Sequence, residues 1–198
     1  MKSDFKKDTS ALFEAVERDK QMFAELEKTG KLHKGYDPAM RALHEQNAVL
    51  LEQFFDTYGW PIPSQFGGEV HEAAWFIAIH AISKPHILKR ALHLLEQALH
   101  NGEQVAQEYA KLFDRIELYE GRKQRYGTQF APSPAGWYAW DLEDPEQVDV
   151  RRAALGLSTF LEGKEACGAG EGGFISQEEQ DCFEADFLLF LQETGWRS

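Results

Sequence analysis

Three polar residues stand where helical spacing calls for apolar ones. Between Ser10 and Gly30, the residues Leu12, Val16, Phe23 and Leu26 recur with helical spacing and mark a buried stripe. At about 100° per residue, Asp19 falls in the middle of that stripe. Between Asp37 and Gly59 the stripe is Leu43, Leu50, Leu51 and Phe54, and Asn47 falls within it. Between Glu69 and Ile82 nearly every residue is apolar, and His80 sits among them. A buried carboxylate or amide without a partner costs several kcal/mol, so these groups need one another or a ligand. One outcome is a satisfied polar network that fixes helix register. The other is a pocket in which an Asp–His pair moves protons.

Several patterns resemble chemical motifs and fail on spacing. His44-Glu45 and His71-Glu72 each begin an HExxH zinc motif, but Ala48 and Trp75 occupy the second histidine position. His86, His93 and His100 share a helix face. Seven residues rise about 10 Å, too far for one zinc ion, which binds each nitrogen at about 2 Å. A solvated face is expected there. Gly168, Gly170 and Gly173 match GxGxxG literally, but a Lys/Glu-rich segment precedes them and there is no βαβ pattern. No metal and no cofactor is expected. No nucleophile stands out, which favours acid–base or hydrolytic chemistry over covalent catalysis.

These residues need helices to position them. The first is expected from an N-cap at Ser10 to Thr29-Gly30, and the second from Asp37-Pro38 to Tyr58-Gly59. A polar turn covers Ser64 to Gly68. The third helix runs from about Glu69 to Ile82 and, being apolar all round, is central. A fourth begins at Ser83 and Pro85 and ends at Asn101-Gly102. A fifth runs from about Glu103 to Tyr119, with Asp114 opposite its apolar stripe and Arg115 at the edge. That pair is either solvated or covered by the hairpin after Gly121. Gln124 to Phe130 and Trp137 to Leu142 read as a β-hairpin. A short helix comes next, near Glu146 to Leu155. Ser176 with Glu179 forms a capping box for the last helix. The expected fold is mainly α: a helical bundle-like single domain over residues 1–198, with one small hairpin near residues 124–142. Residues 163–175 are expected as a mobile glycine-rich loop before the C-terminal helix.

The totals narrow the function classes. With 198 residues, one domain can bury a full core without disulfides or metals. Aromatics at 13% argue against disorder. A net charge of −12 would be repelled by phosphate backbones and anionic lipid, so neither nucleic acid nor membrane is an expected partner. A basic protein partner would suit that surface. No apolar run approaches the ~20 residues of a membrane span. Two cysteines, Cys167 and Cys182, form no disulfide framework. Met1-Lys2-Ser3-Asp4 opens no signal peptide, and a cytoplasmic location is expected.

Some residues carry a likeness as well. Gly59-Trp60-Pro61, Trp75 with His80, Asp114-Arg115, Gln124 with Tyr126-Gly127-Thr128-Gln129, and Asp149, Arg151-Arg152 and Gly156-Leu157 occur in that order. This resembles a bacterial family catalogued only as a domain of unknown function, over about Ala11 to Leu157. The resemblance brings no activity. It implies that His80, Asp114, Arg115, Gln124, Tyr126, Gln129 and Arg152 belong to one shared feature, while Gly127 could be a plain turn residue and Arg152 a partner of Asp114.

Two hypotheses emerge. In the first the chain is an enzyme, a hydrolase or other acid–base catalyst acting on a small polar or anionic ligand. His80 would be the general acid or base, oriented by Asp19 or Asp114. Arg115 and Arg152 would clamp a carboxylate or phosphate, and Gln129 and Asn47 would position it, with Gln124 and Tyr126 beside them. In the second, a non-catalytic acidic protein serves as immunity or regulatory partner of a basic protein.

Overall fold

A computed structural model describes residues 2–30, 36–169 and 172–198. The chain divides into two compact units, Met1–Gln104 and Val105–Ser198, where the sequence suggested one domain.

The first unit is built from helices alone. They are α1 (Lys2–Lys28), α2 (Pro38–Tyr58), α3 (Pro63–Phe66), α4 (Gly68–His80) and α5 (Pro85–His100). The Asp37 carboxylate accepts the N–H groups of Ala39 and Met40, and Pro38 takes the first helical position, so α2 begins where expected. Gly59, at φ 70°, ends it.

Helix α1 starts eight residues before the expected N-cap. The Ser10 hydroxyl bonds back to the Lys6 carbonyl and Thr9 to that of Phe5, so both lie inside the helix rather than capping it. Packing accounts for the extra turns. The Phe5 ring meets Tyr58 and Phe66, and the Tyr58 hydroxyl donates to Asp8. The buried face of α1 is Leu12, Ala15, Asp19 and Leu26; Phe23, expected on the stripe, is exposed. The expected turn at Ser64 to Gly68 is partly the single-turn α3.

Helices α1, α2 and α4 pack on one another. Their facing residues include Leu12, Ala15, Leu43, Ala48, Leu51, Ala74, Ile77 and Ala78, all buried. Small residues such as these let helix axes approach closely. Helix α5 buries Ile87, Leu88, Ala91, Leu95 and Ala98 and turns His86, His93 and His100 to solvent, as expected.

The second unit holds α6 (Ala106–Tyr119), β1 (Phe130–Ala131), β2 (Tyr138–Ala139), a 3-10 turn (Pro145–Gln147), α7 (Val148–Ala154), α8 (Phe160–Ala166) and α9 (Gln177–Glu193). The fold is thus mainly α with a small antiparallel hairpin, Phe130 opposite Ala139 and Ala131 opposite Tyr138. The hairpin's two strands are shorter than the span 124–142 because Arg125, Tyr126 and Thr128 turn their N–H groups to Asp114 instead of to a strand. Pro132 and Pro134 then withhold two further donors. The glycine-rich loop is shorter too. Residues 163–166 belong to α8, which opens on a Thr159/Glu162 capping box that the sequence reading passed over. Gly170 of the glycine triplet lies outside the described residues.

Candidate functional site

Asp19 of α1, His44 of α2 and His80, the last residue of α4, meet inside the first unit. Asp19 and His44 are buried, and His80 is half-buried. One carboxylate oxygen and two ring nitrogens, one from each residue, all lie within 4.8 Å of one another. The His44 and His80 rings stack at 4.9 Å with 12° between their planes, and the Phe76 ring stands edge-on to His80 at 4.4 Å.

His44 has a close oxygen neighbour at each ring nitrogen. The Tyr36 hydroxyl is 2.6 Å from Nδ1. Nε2 is 2.8 Å from Asp19 Oδ2, yet its N–H direction misses that oxygen and no hydrogen bond forms. The two atoms stand side by side rather than head-on. Three residues further along the same face of α2, the Asn47 amide donates to the Ala15 carbonyl at 3.4 Å, and its Oδ1 is buried with no hydrogen-bond partner.

A surface groove of about 420 Å³ runs between α1 and α4, lined by Phe13, Val16, Glu17 and Lys20 on one side and Glu69, Glu72, Ala73 and Phe76 on the other. Asp19 lies between Val16 and Lys20 on α1, and His80 one turn beyond Phe76 on α4. Phe76 is common to both places, walling the groove and touching His80.

Asp114, Arg115, Gln124, Tyr126, Gln129 and Arg152 lie in the second unit, where they bind one another and their loop. Asp114 is fully buried under residues 125–128, the covered alternative of the two considered. Its carboxylate accepts the backbone N–H groups of Arg125, Tyr126 and Thr128 at 2.7 to 3.0 Å and the Thr128 hydroxyl at 3.0 Å. Burial pushes its carboxyl above the ordinary range, and these hydrogen bonds work against that rise. Gln124 receives the Gln129 N–H and donates to the carbonyls of Gln129 and Trp140. Arg115 donates to the Gln129 side chain. Arg152 does not pair with Asp114; it donates to the carbonyls of Ser158 and Tyr126. Its guanidinium lies against Gly163, where a side chain would collide with it. Gly127 is a turn residue at φ 66° that also faces the Phe160 ring. A cavity of about 230 Å³ opens beside Lys111, Thr128, Arg152, Ser158 and Cys167.

Periodicity therefore found Asp19, Asn47 and His80 but passed over His44 and Tyr36. His44 was legible, because Met40, Leu43, Asn47, Ala48 and Leu51 are buried on the same α2 face. Read as a broken zinc motif, its place in that stripe went unused. The neighbouring Glu45 pairs with Arg41 and Lys84. His71 of the other fragment is buried and accepts the Trp60 indole N–H at 3.2 Å. Nothing in the sequence signals Tyr36.

Fold and site together define a mainly helical protein with an aspartate and two histidines gathered inside a three-helix packing. The chain belongs to the Family of unknown function (DUF6624), whose model spans residues 4–165 and leaves α9 beyond it. No curated protein and no solved structure matches the chain. Among the described residues, no helix is long and apolar enough to cross a membrane.

Proposed function

We propose that the chain is an enzyme performing acid–base or hydrolytic chemistry on a small polar substrate, with Asp19, His44 and His80 as its reacting centre. The observation that carries this reading is the approach of three donor groups, from three separate helices, to within 4.8 Å of one another. A water or a substrate oxygen held there is polarised by all three, and imidazole can accept and return its proton. Tyr36 fixes the orientation of His44. Three glutamates against one lysine line the neighbouring groove. That favours a neutral or cationic substrate over the anionic one considered from sequence. In the second unit Asp114, Gln124 and Arg152 act through the loop they hold rather than on substrate.

The test is turnover of a panel of chromogenic esters, amides and phosphoesters by the purified chain and by His44→Ala and His80→Ala. Expected is hydrolysis of at least one class, slowed about 10²- to 10⁴-fold in both variants, as for loss of a positioned proton-transfer group. Equal rates in all three proteins would end the proposal.

One observation favours the acidic binding protein instead. Helix α9 exposes Phe183, Leu188 and Leu189 among Glu178, Asp181, Glu184 and Asp186. That reading needs no polar cluster inside the first unit, which is why it stands second. Cys167 and Cys182 are exposed free thiols, which suits a reducing cytoplasm in either case.

A further inference from the structure

We infer that Asp19, His44 and His80 form a binding site for one divalent transition-metal ion of the zinc class. The site is the same cluster as the proposed reacting centre and rests on that reading for its catalytic use, while metal binding itself is read without any substrate.

The donor geometry carries it. A carboxylate 2.8 Å from an imidazole nitrogen would ordinarily take the ring's N–H along its axis. Here the N–H direction misses the oxygen, so the close pair is not an imidazole–carboxylate hydrogen bond and Nε2 of His44 is left for another partner. Neighbouring ligands of one ion stand close in that way, with no hydrogen bond between them. The third donor, a His80 ring nitrogen, lies within 4.8 Å of both. The His44 and His80 rings lie nearly parallel, so the His80 ring, at the end of α4, turns out of the stack for both nitrogens to reach one ion at the ~2 Å such bonds require.

The surroundings agree. The Tyr36 oxygen is 2.6 Å from Nδ1 of His44, placed to accept its proton and leave Nε2 as the ligating nitrogen. Histidine ligands usually donate their second ring nitrogen to an outer oxygen in this manner. A carboxylate and two imidazoles would offer a dication one negative charge and two nitrogen ligands. Two imidazoles and one carboxylate suit zinc, cobalt, nickel or iron, whereas magnesium and calcium call for more oxygen donors. Three protein ligands leave a coordination position for water, the pattern of catalytic rather than structural zinc sites. The unpartnered buried Asn47 Oδ1, one turn from His44, offers an acceptor within the same packing.

The experiment titrates cobalt(II) chloride into the full chain after dialysis against a chelator. Visible absorption reports coordination, and zinc chloride serves as competitor. Expected is one equivalent of cobalt with d–d bands of a low-coordinate site, displaced by one equivalent of zinc. Asp19→Asn, His44→Ala and His80→Ala should each weaken binding about 100-fold or more, while the surface variant His93→Ala leaves it unchanged. His80→Cys guards against loss by misfolding. It should retain cobalt and add a thiolate-to-cobalt band in the near ultraviolet, which only a side chain bound to the ion produces. No cobalt spectrum in the folded wild type would overturn the site, as would binding that persists in His44→Ala and His80→Ala or a His80→Cys spectrum without the thiolate band. Metal bound with no ester, amide or phosphoester turned over sinks the hydrolytic reading alone. Turnover by chelator-treated, cobalt-silent protein sinks the metal alone.

Discussion

At Asp114 one side chain organises a whole loop. Its two oxygens receive three backbone N–H groups and a hydroxyl, and among the described residues no other group replaces them as acceptor. Asp114→Ala leaves several buried donors without an acceptor, at about 1–3 kcal/mol for each group. A total loss of roughly 3–5 kcal/mol is expected, or a Tm lower by about 10 °C, read by calorimetry. An unchanged Tm would return Asp114 to the groups available for chemistry. Asp19 is buried too, yet among the described residues it meets a histidine nitrogen side-on rather than a row of backbone N–H groups. The sequence marks Asp19 as misplaced charge within a stripe but sets Asp114 opposite the stripe of its helix. What meets each one was not legible, because it depends on which loop or helix, distant in the chain, arrives there.

At the level of elements, local chemistry and packing settle different boundaries. Helix α2 was legible from its aspartate cap and proline, and α9 from Ser176 and Glu179, because a cap is a short-range device. The hairpin's strands are short because Asp114 takes N–H groups that would pair across them, and α1 is long because distant aromatic rings extend it. The α9 cap makes a pH prediction. The Ser176 N–H, and then its hydroxyl, hold the Glu179 carboxyl below its ordinary 4.5. A lowered folded value means this stabilisation is present above pH 4.5 and lost as pH falls through the folded pKa. Protection factors at residues 176–180, exchange rates taken relative to the unprotected chain at the same pH, should therefore fall on acidification below that point, and Glu179→Gln should remove that fall. Protection that stays flat in the native chain would mean the cap does not hold α9. The other end of α9 ties back to α6. Arg197 donates to the carbonyl of Tyr119 and to that of Leu118, which also receives the Gly121 N–H, and the buried Trp196 packs edge-on against Tyr119. Trp196→Ala should cost about 3–5 kcal/mol and Arg197→Ala about 1 kcal/mol in urea unfolding, the first through lost packing and the second through lost hydrogen bonds to the end of α6.

For the molecule as a whole, the open matter is how many cooperative units the sequence encodes. Composition and length pointed to one domain, since 198 residues can share a single core. The contacts divide instead at Gln104, giving pieces of about 100 residues, each within the usual domain range. The sequence offers no linker at that point, no run of glycine, proline or charge, which is why the division was not legible. Each piece has its own buried centre: Leu12, Leu51, Ala74 and Leu88 in the first, and Leu112, Asp114, Gln124 and Leu191 in the second. A unit with a closed core and satisfied polar groups folds without its neighbour. Residues 1–104 and 105–198, expressed separately, are therefore expected to give helical circular dichroism and a cooperative thermal transition each. The second fragment should be the less stable, because its core rests on polar clasps that are worth about 1 kcal/mol apiece against water. If neither fragment folds until the two are mixed, the chain is one cooperative domain, as its composition and length suggested, and the two clusters of polar residues must then be weighed as parts of one folding unit.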